Sequence, residues 1–164
     1  MTSKKVAVLM GSKSDLPKLQ GCIDCLAKLE ISHELRIMSA HRTPEIVAEF
    51  AGTAAAKGFG VIIAAAGGAA HLAGVVAAHS LLPVIGIPVE NGAFKGLDAL
   101  LSTVQMPGGI AVACVGVGGG GATNAALLAA QILALSDSEL AQRLAEERRQ
   151  RRAQVIEDDR ELQL

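Results

Sequence analysis

Val6-Ala7-Val8-Leu9-Met10 is an apolar run with no polar alternation, and Val61 to Ala65, Val84 to Ile87 and Ile110 to Val115 repeat it. His33 to Met38 is a more polar version of the same pattern. A strand that is apolar at every position is covered on both faces, which requires helices above and below a parallel sheet. The intervening segments supply them. Ser14 or Asp15 can cap a first helix that tolerates Pro17 in its first turn and places Leu19, Ile23, Leu26 and Leu29 on one side. Thr43 and Pro44 read as the N-cap and first position of a second helix, running to about Lys57 with Gly58 as its stop. Further helices are expected from Leu72 to about His79, around Gly96 to Val104, and from Ala122 to Leu135; Pro88 is expected to end the fourth strand. Ser136 and Glu139 have capping-box spacing and open a highly charged helix through about Ile156. Five βα units of this kind predict an α/β fold, a three-layer α/β/α doubly wound parallel sheet with an extra C-terminal helix. The whole chain, 1–164, reads as one domain, with 136–158 as that helix.

Composition narrows the function. Hydrophobic residues make up 51% of the chain but aromatics only 2%, with three Phe and neither Trp nor Tyr. The core must be aliphatic and closely approached. Disorder is excluded by the apolar content. Nucleic-acid binding through stacking platforms and a basic groove is excluded by the missing aromatics and a net charge of -1. No stretch reaches the roughly 18 apolar residues of a membrane span. Met1 to Lys5 leads into an apolar run too short for a signal peptide. Three cysteines, an odd number, argue against a disulfide framework and favour a reducing cytoplasm.

In an open sheet of this type, ligands bind beyond the carboxyl ends of the strands where strand order reverses. For a flavodoxin-like order 2-1-3-4-5 that point lies between strands one and three. The loops there hold nearly all the non-structural polar chemistry outside the tail. Gly11 to Asp15, with Ser12 and Ser14, offers hydroxyls and N–H groups at a helix start, which suit a phosphate. Asp15 repels a phosphate and suits ribose hydroxyls instead; the loop also reads as a simple helix cap. Ser39 and Arg42 pair a hydroxyl with a guanidinium, a good combination for a terminal phosphate. His41 lies between them as a proton-transfer candidate; a capped helix start explains Thr43 and Pro44 but not Ser-Ala-His-Arg. Ala66, Gly67, Gly68, Ala69, Ala70, His71 and Leu72 form a loop with almost no side-chain bulk, open to close approach by a small planar or carboxylate-like group. Tight strand–helix packing would demand the same small residues, and His71 could merely satisfy a carbonyl.

Other candidates are weaker. His33 and His79 read as structural or exposed. Cys22 and Cys25 fall within a helix rather than at its start, where a redox thiolate would be stabilised. No zinc-ligand set is apparent, and no metal is expected. Gly118 to Gly121 reads equally as an anion loop or a packed turn, and the mixed charges from Glu146 to Arg152 as a solvated or partner-facing helix.

Gly11-Ser12-Lys13-Ser14-Asp15, Ser39-Ala40-His41-Arg42-Thr43-Pro44 and Ala66-Gly67-Gly68-Ala69-Ala70-His71-Leu72 resemble the N5-carboxyaminoimidazole ribonucleotide mutase family of purine biosynthesis. Gln105-Met106-Pro107-Gly108-Gly109 and Asn124 to Leu133 do so as well, so the resemblance spans essentially the whole chain in order. The third loop resembles the bacterial mutases rather than the class that carboxylates aminoimidazole ribonucleotide directly with CO2. The resemblance implies a cofactor-free isomerase that moves a carboxylate from the exocyclic nitrogen to C4 by decarboxylation and recarboxylation. It makes His41 the catalytic acid and base. Ser12, Ser39 and Arg42 would hold the phosphate, with Ser14 beside them, and Asp15 the ribose. Ala66 to Leu72, through Gly67, Gly68, Ala69 and Ala70, would line a CO2 pocket, with His71 nearby. It further implies a homo-octamer with the C-terminal helix reaching a neighbour. Many relatives carry a lysine in the glycine run, where this chain has Gly118 to Gly121. The alternatives are the direct carboxylase and a non-catalytic flavodoxin-like nucleotide or FMN binder. The FMN version of the last is disfavoured by the absence of Trp and Tyr to flank a flavin ring.

Overall fold

The structure, a computed structural model, describes residues 4–163. Of the Met1 to Lys5 segment discussed above, the first three residues lie outside that range. Five strands, β1 (Lys5–Met10), β2 (His33–Ile37), β3 (Phe59–Gly67), β4 (Val84–Val89) and β5 (Ala113–Cys114), form one sheet in the order β2-β1-β3-β4-β5. Every pairing is parallel; Val8 faces Leu35 on one side and Ile63 on the other. The helices are α1 (Gln20–Lys28), α2 (Pro44–Thr53), α3 (Leu72–His79), α4 (Leu97–Val104), α5 (Gly119–Ala134) and α6 (Ser138–Leu162). This is the flavodoxin-like doubly wound architecture.

The pleat divides the apolar runs between two cores. Val6, Val8, Val61, Ile63 and Ile85 face Cys22 and Leu26 of α1 and the alanine stripe Ala122, Ala125, Ala126, Ala129 of α5. Ala7, Leu9, Ile62 and Ala64 face Val47 and Phe50 of α2 and Leu72, Ala73 and Val76 of α3. Burying each such Val, Leu or Ile side chain contributes roughly 1.5–3 kcal/mol. The scarcity of aromatics has a direct structural reason, because the elements touch. A Cβ on Gly86 would lie 2.3 Å from Thr103 Cγ2, and one on Gly21 would lie 2.7 Å from Thr123 Oγ1. Small residues set these spacings. β2 is the edge, and its half-exposed pattern explains its mixed sequence.

Several boundaries differ from the sequence expectation. The first helix begins as a 3-10 stretch, Lys13–Leu19, capped by Ser12, whose hydroxyl accepts from Ser14 N; neither Ser14 nor Asp15 is the cap. Helix α2 stops at Thr53 and a turn carries the chain to Gly58, whose φ of 85° closes it. Pro88 does not end β4, which continues to Val89. Gly86 turns its carbonyl to Val115 N on the β5 side. Pro88, two residues on, presents its missing N–H to that same side beyond the end of β5, so no ladder bond is lost. β5 is only Ala113–Cys114 rather than Ile110 to Val115, because a turn at Pro107–Ile110 delays its entry into the sheet. α5 starts inside the glycine run, at Gly119. The capping box does not form. Asp137, not Ser136, is the N-cap of α6, with Oδ1 accepting from Leu140 N, and the helix continues past Ile156 to Leu162.

Candidate active site

The parallel order places the loops after β1, β2 and β3 side by side, with the loop after β4 beside them. They enclose a cleft of about 390 Å³ lined by Ser12, Ser14, Asp15, Ser39, His41, Arg42, Gly67, Ala69, His71 and Leu72, together with Gly11, Ala40, Ala66 and Asn91. Larger hollows exist beside Gly118–Gly119 and between α5 and α6, but neither holds a histidine.

The first loop is self-organised. Ser12 caps the 3-10 stretch, Ser14 Oγ donates to Ser12 Oγ at 2.9 Å, and Asp15 N donates to Ser12 O. Asp15 is 4% exposed. Burial pushes its carboxyl above the ordinary range, opposed by a backbone hydrogen bond at Ser12 and by the charges of Lys18 and Arg42. A buried carboxylate without a dedicated cation is ready to accept hydroxyl donors.

The second loop is pinned at both ends. Thr43 occupies the N-cap position, but its hydroxyl turns back to Ser39, accepting from Ser39 N at 2.9 Å and donating to Ser39 O at 3.2 Å. Ser39 Oγ accepts from the backbone N–H groups of His41 and Arg42. Arg42 reaches across the cleft floor, where Nη2 donates to Gly11 O at 2.6 Å. That bond ties the first two loops together and fixes the guanidinium beside Ser12 and Ser39.

The third loop turns at Gly68, φ 65°, which supplies the bend but does not line the cleft. Ala70 is also absent from the lining, being 1% exposed beneath the loop. His71 points into the cleft and meets His41. The His41 Nε2 to His71 Nδ1 distance is 2.7 Å, with the rings near perpendicular at 72°. Two N–H groups cannot face each other at that distance, so a single proton occupies the gap and each ring orients the other.

Asn91 is the polar cleft residue that sequence reading missed. It becomes reachable because β4 runs past Pro88 and delivers Glu90-Asn91-Gly92 to the carboxyl edge; a polar triplet after an apolar strand was the available signal. His33 bonds Ile31 O at 2.9 Å and His79 lies exposed at the end of α3, both outside the cleft. Burial pushes the Cys22 thiol up to about 12, which leaves it unreactive. Among the described residues, no cluster of three or more His, Cys, Asp or Glu side chains could hold a metal ion, and no helix is long and apolar enough to cross a membrane.

Taken chemically, the cleft sets the hydroxyls of Ser12 and Ser39 and the Arg42 guanidinium, groups suited to an anion, near the Asp15 carboxyl, with the paired imidazoles of His41 and His71 beside a nearly bare backbone loop. Residues 5–154 match the model of the AIR carboxylase family. The N5-carboxyaminoimidazole ribonucleotide mutase of Bacillus subtilis (strain 168) is 49% identical over 157 residues, spanning 96% of this chain and 97% of that protein. The protein of the same name from Brucella melitensis is 53% identical over 155 residues, 94% of this chain and 96% of that one. A crystal structure of Treponema denticola PurE superposes with a TM-score of 0.88 at 33% identity, over 98% of this chain and 99% of that one.

Proposed function

This chain belongs to the AIR carboxylase family, and we propose that it is the isomerase that converts N5-carboxyaminoimidazole ribonucleotide to its C4-carboxylated isomer in purine biosynthesis. The relatives' shared name supports the mutase over the direct carboxylase. The observation that carries the reading is the 2.7 Å His41–His71 pair set against the side-chain-poor loop Ala66–Leu72, with the Arg42–Ser39–Ser12 anion end across the same cleft.

The residues support the following chemistry. The 5′-phosphate sits against Arg42, Ser12, Ser14 and Ser39, and the ribose hydroxyls donate to Asp15. The His41 imidazolium gives its proton to the exocyclic nitrogen as the N–CO2 bond breaks, leaving CO2 and aminoimidazole ribonucleotide. C4 then attacks the CO2 carbon, and His41 removes the C4 proton as the new carboxylate forms. One proton leaves and one returns, so no cofactor or net proton is consumed. His71 holds the His41 ring at the angle both transfers require. The loop Gly67–Leu72 lets CO2 stay beside its acceptor, which makes recarboxylation effectively unimolecular.

The same reading includes a homo-octamer in the cytoplasm with α6 contacting a neighbour. Support comes from α6, whose residues 148–163 are exposed along their length, and from Phe94, Leu97, Leu101 and Val104, which bare an apolar face on and beside α4. Three free cysteines fit a reducing compartment.

Purified protein given N5-carboxyaminoimidazole ribonucleotide should form the C4-carboxylated isomer without ATP, metal or added bicarbonate; no product under those conditions overturns the assignment. His41→Asn should lower kcat by roughly 10²–10⁴-fold or more, since one group serves both proton transfers, while ligand still binds in calorimetry. Near-normal turnover in that variant would show that another group moves the proton.

A further inference from the structure

Asn91 stands across the cleft from the first loop, and its side chain is held in one orientation. Lys18 Nζ donates to Asn91 Oδ1 at 2.8 Å and also to the backbone carbonyl of Glu90. An ammonium has no acceptor, so the amide oxygen must face it and the NH2 must face away. The NH2 lies over Gly67, where a Cβ would be 2.1 Å from Nδ2 and 3.0 Å from Val89 O. Gly67 is therefore the space that Asn91 fills, and Nδ2 sits at the rim of the side-chain-poor loop that also holds Ala69 and His71. Among the described residues, Nδ2 meets no hydrogen-bond acceptor, whereas Oδ1 does meet a donor. With Oδ1 taken by Lys18, Nδ2 is the part of the amide left available to a ligand at that loop.

We propose that Asn91 Nδ2 donates to the carboxylate of the bound substrate and product, and that Lys18 is the positioning residue that fixes the Asn91 amide for this; the inference rests on the carboxylate-transfer function above. A neutral donor suits the reaction better than a cation would. The carboxylate must lose its charge as CO2 forms, and an arginine or lysine in direct contact would hold the charged ground state and oppose that step. Lys18 lends orientation while its charge faces the amide oxygen rather than the ligand.

Asn91→Asp separates this role from simple loop anchoring. The aspartate keeps the partner of Lys18 and so keeps the loop pinned, but it turns a carboxylate oxygen toward the ligand carboxylate. Its melting temperature should equal or exceed that of the parent, while kcat/KM for N5-carboxyaminoimidazole ribonucleotide falls by at least roughly tenfold. Calorimetry should show weaker binding of the C4-carboxylated product and unchanged binding of aminoimidazole ribonucleotide, which has no carboxylate. Asn91→Leu, of similar size with neither donor nor acceptor, should show the same selective loss to a smaller degree. Lys18→Met should lower kcat/KM in the same direction, and Lys18→Arg should restore it. Parent-like kcat/KM in Asn91→Asp, or equal loss of affinity for carboxylated and decarboxylated ligands in both Asn91 variants, overturns the proposal. If the parent protein itself fails to interconvert the two isomers, the functional assignment falls and takes this inference with it, an outcome distinct from a working parent with indifferent variants.

Discussion

Asp15 is a buried carboxyl whose surroundings work against its ionised form. Burial raises its pKa, more than the Ser12 hydrogen bond and the Lys18 and Arg42 charges lower it. A group whose folded pKa lies above its unfolded value contributes stability below the unfolded pKa and loses it as pH rises through the folded one. At neutral pH the empty protein therefore carries an ionised Asp15 at a cost. Asp15→Asn should melt at or above the parent at pH 7 by calorimetry, with the difference shrinking as the pH is lowered toward about 4. The same variant should bind the ribonucleotide roughly tenfold more weakly, having lost an ionised acceptor for the ribose. A variant that is less stable at pH 7 and binds normally would contradict both parts. Residue types marked the loops that meet at this cleft. A carboxylate, a guanidinium, three serines and two histidines lie together on adjacent βα loops at this cleft. The aim of His71 was not legible, because its partner His41 lies 30 positions away and only the register of β2, β1 and β3 brings them to 2.7 Å.

At the scale of elements, the glycine run before α5 acquires a specific reason. Gly118 has φ 87°, and a Cβ on Gly121 would lie 1.7 Å from the carbonyl oxygen of Gly116, while Gly119 and Gly120 face open space. The chain doubles back over its own helix start at Gly121 and nowhere else in the run. Gly121→Ala should thus cost about 3 kcal/mol or more in denaturant unfolding, since the obstructing atom is backbone. Gly120→Ala should stabilise by about 0.4–1 kcal/mol through the unfolded chain. Equal effects of the two would refute the crossing. The helix at the other end, α6, docks through its first half, where Leu140 and Leu144 join the core. Glu147, 4% exposed, is ion-paired with Lys28 of α1 and with Arg151 at 2.7 Å, and Arg143 Nε donates to Leu29 O at 2.9 Å. Element types and order were legible because Val6–Met10, β3 and β4 carry no polar alternation and the segments between them have helical apolar spacing or start signals such as Thr43-Pro44. Boundaries were not, since they depend on neighbours. Pro88 stays in β4 only because β5 is too short to need its N–H. Asp137 displaces Ser136 as cap because the Ser136 hydroxyl turns back to donate to Leu133 O at 3.4 Å, at the end of α5, while Asp137 Oδ1 accepts from Leu140 N.

For the whole molecule, the arrangement joins a cleft formed by the loops after β1 to β4 to surfaces that the chain leaves bare. α6 beyond Glu147 touches nothing that shelters it, and an isolated helix of this length is marginal in water. A chain ending at Arg152 should keep its melting cooperativity but sediment as smaller species than the parent; unchanged assembly would show that the distal helix has no partner. The scarcity of aromatics, at first only a reason to discard stacking-based recognition, follows from the close approach of sheet, helices and loops, and the same smallness leaves room at Gly67 for the Asn91 amide. Trapping of CO2 beside its acceptor is the central claim, and an isotope experiment tests it most directly. Substrate labelled with ¹³C in the N5-carboxylate should be turned over in the presence of excess unlabelled bicarbonate and the product carboxylate examined by NMR. Product that retains the label at C4 is the predicted result. Product carrying the unlabelled carboxylate would mean that CO2 is drawn from solution, contradicting internal transfer.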